Sequence, residues 1–245
     1  MTAPLFAVYL REMLLLKHRF KRQLLSMSVS PFLYLVTFGF ALGKAVTVGD
    51  RGYLEFLIPG LIAMASMTQA FAIAAEINSA RFYIHAIEEF QAAPLSSLSF
   101  VLGETLAGLT RAFMAMIIVA CLGLLFGVRL HYGPCLVAAA FLNAFAFSSL
   151  AVALAMVLRT HADQALLSNF VITPMAFLGG TFFPLDALPA WAQKILTLLP
   201  LTHASRAIRA DAFGEPAALA PFVILASCAA LFFLLALATV SRAKD

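Results

Sequence analysis

Long, uninterrupted apolar runs dominate this chain and leave few folds open to it. They cover residues 24–43, 54–77, 98–128, 134–158, 165–183 and 217–240. Each is about 20 residues or longer, the length a helix needs to cross the hydrocarbon core of a bilayer. The runs are continuous rather than alternating, which argues against a membrane barrel. Inside lipid, backbone groups must then find their partners within helices. The expected fold is all-α: a polytopic membrane protein with six transmembrane helices. Spans and connectors use nearly all of the 245 residues, which leaves no room for a soluble catalytic domain. Composition agrees, with 63% hydrophobic and 11% charged residues. Soluble domains carry roughly half and a quarter.

The formal net charge is +4. In a soluble chain this would raise the question of nucleic acid. Here the basic residues sit at the ends of apolar runs, where they set orientation, and no nucleic-acid partner is expected. With six spans both termini share one side. That side holds Arg11, Lys17, Arg19, Lys21, Arg22, Arg81, Arg159, Arg242 and Lys244. The other holds Lys44, Arg51, Arg129, Lys194, Arg206 and Arg209. The cluster before the first span places both termini in the cytoplasm. The N-terminus does not read as a cleavable signal, because an amphipathic segment leads through a basic stretch into a span of full length.

Three connecting segments stand out. Residues 3–22 read as an amphipathic helix lying in the headgroup plane, with Phe6, Leu10, Met13 and Phe20 near helical spacing and Arg11, His18 and Arg22 on a neighbouring stripe. Such a helix is an anchor and also a surface for a cytoplasmic partner. Residues 82–92 read as a short cytoplasmic helix. Ile84, Ile87 and Phe90 fall near one face and Glu88 and Glu89 elsewhere; Pro94 stops it, and Ser96 or Ser97 caps the next helix. A solvated connector with ordinary surface charges is the plainer reading of that loop. Residues 184–209 are apolar but broken by Pro184, Pro189 and Pro200, so no piece between prolines can span a bilayer. They fit a re-entrant or interfacial helical hairpin, with Trp191 at the interface.

Charges within spans are costly and need partners. Glu104 and Arg111 stand seven residues apart, too far for a tight pair along one helix, and Glu76 is a candidate partner for one of them. These three residues either pair structurally or line a substrate path. Gln69, Asn143 and Asn169 are expected to hydrogen-bond between helices. Catalytic signatures are missing. The string from Gly39 to Ala45 is one residue short of a P-loop and lacks Ser or Thr after Lys44. There is no HExxH or GxSxG. His18, His85, His131, His161 and His203 are scattered, and Cys121, Cys135 and Cys228 form no CxxC pair. No metal site and no enzymatic chemistry of the chain's own are expected.

The most specific strings are Phe177-Leu-Gly-Gly-Thr-Phe-Phe-Pro184, Leu188-Pro-Ala-Trp191 and Leu199-Pro-Leu-Thr-His-Ala204, with Arg206 and Arg209 beyond. Phe56-Leu-Ile-Pro-Gly-Leu61, Glu88-Glu89 and Ala93-Pro-Leu-Ser96 accompany them. In these features the chain resembles the permease subunits of ABC-2 type exporters, in particular the daunorubicin-resistance and nodulation-factor branch. Leu199 stands where that family usually has Asn. The resemblance implies a single transmembrane domain over 1–245 in a bacterial inner membrane, working as a pair of permeases with two cytoplasmic ATPases. The ATPases, not this chain, would bind ATP and Mg. It implies that Arg11, Arg19, Ile84, Ile87, Glu88, Glu89 and Phe90 serve coupling to the ATPase, through an interface helix and a coupling helix. Cargo would be a drug, lipid or glycoconjugate moved outward. Competing readings are an ATP-independent channel or secondary carrier, against which the absence of an inverted repeat speaks mildly, and a membrane-bound lipid enzyme.

Overall fold

The computed structural model describes residues 2–42, 47–48, 50–82, 95–158 and 160–243. The helices are α1 (Thr2–His18), α2 (Phe20–Leu42), α3 (Tyr53–Phe71), α4 (Ile73–Phe82), α5 (Ser97–Leu125), α6 (Pro134–Val157), α7 (His161–Leu167), α8 (Thr173–Leu178), α9 (Ala190–Leu196), α10 (Pro200–Ala212) and α11 (Leu219–Arg242). A π turn at Ser168–Ile172 joins α7 to α8. Among the described residues the one sheet is a two-stranded antiparallel pair, Thr47 opposite Gly52 and Val48 opposite Arg51.

Four helical stretches are long and apolar enough to cross a membrane: Tyr53–Phe82, Ser97–Leu125, Pro134–Val157 and Leu219–Arg242. They are the second, third, fourth and sixth of the apolar runs. The first run lies in α2, which begins at Phe20 after a break at Arg19, so the N-terminal helix is shorter than the 3–22 expected. The fifth run was expected to be helical over 165–183. The helix instead runs from His161 to Leu178 and stops at Gly179 and Gly180. Gly180 has φ +79°, a left-handed conformation that ends helices and that glycine adopts without a Cβ clash. Within this stretch Pro174 has no N–H to donate, and the π turn lies just before it.

Helix α3 is the hub. Every residue from Phe56 to Met67 is buried, and α3 packs against α5, α6 and α10. Helix α6 fits between α3 and α11 because it is built from small residues: Ala139, Ala140, Ala144, Ala151 and Ala155 are all fully buried. Small side chains bring helix backbones close, which drives association where lipid removes the hydrophobic advantage. Gly108 of α5 is the tightest such point: a Cβ there would lie 2.6 Å from Ser148 Cβ and 3.1 Å from the Ala70 carbonyl. Helix α11 is peripheral. Leu225, Ala229, Ala236 and Val240 form its buried stripe, while Leu219, Val223, Leu231 and Leu234 point outward.

Candidate functional site

Charged residues inside the bundle converge on one place. Arg111 of α5 donates to Glu76 of α4, with the arginine side chain 3% and the glutamate 24% exposed. Glu104, on the same face of α5, is also buried. The third acid is Glu12 of α1, 0% exposed, with Arg11 Nη2 3.1 Å from its Oε1. Burial, and then the adjacent Glu76, push the Glu12 carboxyl above the usual carboxylate range, against the pull of Arg11 and Arg111. Neither Glu12 oxygen accepts a hydrogen bond from a described residue.

The sequence placed Glu76, Glu104 and Arg111 together but missed Glu12. The apolar stripe of α1 leaves Phe6 and Leu10 exposed, and a second face, Val8, Glu12 and Leu16, is buried against the bundle. A spacing of four along a helix puts those three on one face, a signal hidden because its middle member is an acid. Arg19 sits exposed at the break between α1 and α2. The expected helix over 82–92, with Ile84, Ile87, Glu88, Glu89 and Phe90, falls beyond Phe82 outside the described residues.

Polar groups also bridge neighbouring helices at other levels. Asn143 donates to Ser66 Oγ (2.8 Å) and to the Ala63 carbonyl (3.2 Å), joining α6 to α3. Asn78 donates to Gln164 Oε1, joining α4 to α7. Arg81 donates to the carbonyls of Ala155, Met156 and Leu158 at 2.9–3.0 Å. These carbonyls at the end of α6 lack intrahelical partners, and a cation suits that pole of the helix dipole. A crevice of about 230 Å³ opens between α2, α3 and α8. Its wall mixes hydroxyls and an amide (Ser26, Ser30, Thr68, Gln69) with Tyr34 and Phe177. Glu76, Glu104 and Arg111 do not line it.

The proline-rich segment folds into a clasp at the opposite end of α3. Pro189 precedes α9, and Pro200 opens α10, where a missing N–H costs nothing. Thr202 Oγ1 donates to the Leu196 carbonyl (2.7 Å) and His203 Nε2 lies 2.8 Å from that of Thr197, so the Leu199-Pro-Leu-Thr-His string closes the end of α9. Ser205 donates to the Gly179 carbonyl (2.7 Å) and Arg209 to that of Gly180 (2.8 Å). The Arg209 guanidinium also lies 3.9 Å from the centroid of the Phe56 ring. Burial, aided by Arg206, lowers Arg209 to about 10, which leaves it charged at neutral pH. Asp211 accepts from the Leu136 backbone N–H (3.1 Å) at the start of α6, the positive pole of that helix. The two arms differ: α10 is buried against α3 and α6, whereas Trp191 and Ile195 of α9 and Leu198 beyond it are exposed. Pro184 begins the short turn that leads into α9. Among the described residues no group of three or more His, Cys, Asp or Glu is placed to hold a metal ion.

Comparison with known proteins fits this arrangement. The chain is 28% identical over 238 residues to the inner membrane transport permease YadH of Escherichia coli K12, covering 93% of this chain and 92% of the relative. It is 31% identical over 222 residues to Nodulation protein J of Rhizobium leguminosarum bv. viciae, covering 86% and 83%. It is 27% identical over 203 residues to the daunorubicin resistance ABC transporter permease protein DrrB1 of Streptomyces coeruleorubidus, covering 81% and 71%. The ABC-2 type transporter model matches residues 4–213, from the start of α1 past the end of the clasp. The chain therefore belongs to the ABC-2 type transporter family.

Proposed function

We propose that this chain is the permease subunit of an ATP-driven exporter in a bacterial inner membrane, with its ATPase on a separate polypeptide. The observation that carries this reading is a pairing of presence and absence: a family match over residues 4–213 in a sequence without a P-loop. DrrB1 is named as an ABC transporter permease and YadH as an inner membrane transport permease. Six spans, counting α2 and the helical stretch 161–178, put both termini in the cytoplasm. The clasp around Pro184, Pro189, Trp191 and Pro200 then lies on the outer side as a re-entrant hairpin. The inner loop with Ile84, Ile87, Glu88, Glu89 and Phe90, together with Arg11 and Arg19, contacts the ATPase.

Two permeases act with two ATPases. The stretch 161–178 supports this, because it exposes Leu166, Phe170, Val171, Phe177 and Leu178 and buries little beyond Gln164, Ile172 and Ala176. A second permease would cover that face. The crevice beside it, greasy but lined with hydroxyls, suits a hydrophobic or amphipathic cargo such as a drug, lipid or glycoconjugate. ATP-driven closure of the ATPases shifts the permease pair between closed and open paths.

The test is copurification from native membranes. An ATPase should travel with the wild-type chain, and charge reversal at Glu88 and Glu89 together should weaken that association about tenfold. Transport at full rate by the purified chain alone, without nucleotide hydrolysis, would overturn the proposal.

A further inference from the structure

Helix α1 precedes α2 directly, yet it packs along α5 rather than α2. Three contacts along its length fix it there. At Gly103 of α5 the two backbones nearly touch: a Cβ there would lie 2.7 Å from Val8 Cγ1 and 3.3 Å from the Leu5 carbonyl. About two turns along α5, Tyr9 Oη and Thr110 Oγ1 are 3.0 Å apart. In the middle of the same buried face stands Glu12. The groups that meet it are Arg11 on its own helix, Glu76 on α4, and Glu104 and Arg111 on α5. A fully buried carboxyl on a helix otherwise suited to the headgroup plane costs stability unless its position matters. Three acids face two guanidinium groups there.

We propose that Glu12 is a positioning residue that keys the N-terminal helix to the Glu76–Arg111 pair, so that α1 and α5 move as one rigid lever. This rests on the ATPase-driven reading. In that reading an ATPase pushing on α1 acts directly on the third span, Ser97–Leu125, and reaches α3 and the crevice from there. Glu12 acts from the middle of the buried face, among Arg11, Glu76, Glu104 and Arg111.

Two measurements on the permease–ATPase complex in nanodiscs test this, in a background with Cys121, Cys135 and Cys228 replaced by Ser. The first is a Val8→Cys/Gly103→Cys pair. Val8 Cβ lies 2.8 Å from the Cβ position at 103, and a shift of about 1 Å reaches the roughly 3.8 Å that a disulfide needs. The bridge should form with and without ATP and leave hydrolysis within about twofold. A bridge that stops hydrolysis, or that forms in only one nucleotide state, means α1 slides on α5 and overturns the lever.

The second reads coupling at the crevice, as nucleotide-dependent maleimide labelling of Thr68→Cys. Glu12→Leu should abolish the nucleotide dependence while the ATPase still copurifies and hydrolyses ATP. Glu12→Gln, neutral and able to donate, should restore it. Full nucleotide dependence in Glu12→Leu would overturn the role of Glu12 and leave the transporter reading intact. Absence of any copurifying ATPase from wild type would overturn both.

Discussion

Replacing Gly60 with alanine should destabilise the protein by severing the clasp from α3. Gly60 lies in the interior of α3, where alanine is the better helix former by about 1 kcal/mol. Propensity alone therefore predicts a gain. The structure predicts the opposite. A Cβ at residue 60 would lie 2.6 Å from the Thr181 carbonyl oxygen, 2.9 Å from Thr181 Cα and 3.1 Å from Arg209 Nη2. Two of these neighbours are backbone atoms of a buried residue, so they cannot rotate away. Overpacking of this kind costs about 1–3 kcal/mol. Pushing back the 179–183 turn also strains the bond from Arg209 to the Gly180 carbonyl, and hydrogen bonds to charged groups contribute roughly 1.5–3 kcal/mol. The clash and the strained bond outweigh the propensity gain, leaving a net loss of about 2 kcal/mol or more. For a chain of this length that lowers the melting midpoint by roughly 4–8 °C. Gly39→Ala is the control, because its Cβ would meet only the flexible end of Leu54 at 3.2 Å. Thermal melts in one detergent compare the two. A Gly60→Ala midpoint at or above wild type would refute the reasoning.

The buried pair gives a second expectation. Arg111→Met leaves Glu76 without its cation beside two other acids and should cost about 3–5 kcal/mol; adding Glu76→Met should recover most of it. Additive losses in that double-mutant cycle would refute the pairing. Asn143→Ala should cost on the order of 0.6–1.7 kcal/mol, as interhelical hydrogen bonds in membranes do, and a melt that does not move would contradict its bridge to Ser66. Folding raises the Glu12 carboxyl, so its contribution to stability is complete below the unfolded value of about 4.3 and is lost as pH rises through the folded value. The melting midpoint of Glu12→Gln, which does not titrate, should therefore gain on wild type as pH rises, and a constant difference would contradict the shift.

Much of the fold is legible in the residues. Hydrophobic length marks the helices because lipid offers backbone groups no alternative partner. Ser96 caps α5, its Oγ accepting from Ser99 N–H, and Pro200 opens α10, both where local chemistry expects them. The expectation that Arg111 or Glu104 needs an outside partner leads to Glu76 because isolated charges in lipid are too costly to leave alone. Boundaries were less legible. Hydropathy extends the fifth helix through Phe183, but the left-handed turn at Gly180 ends it at Leu178.

What the sequence determined alone was the class: an α-helical membrane protein, read from apolar runs of bilayer length, and its family, read from strings such as Phe177–Pro184 and Leu199–Ala204. Those are one-dimensional properties, set by solvent and by local backbone chemistry. The tertiary structure decided which face of α1 is inside. Periodicity marked the stripe of Phe6 and Leu10, which is exposed, but not the face of Val8, Glu12 and Leu16, which is buried because it meets Gly103 at close range and brings a carboxyl to the Glu76–Arg111 pair. Partners 64 and 99 residues away in the chain fix that choice, and no local pattern encodes them.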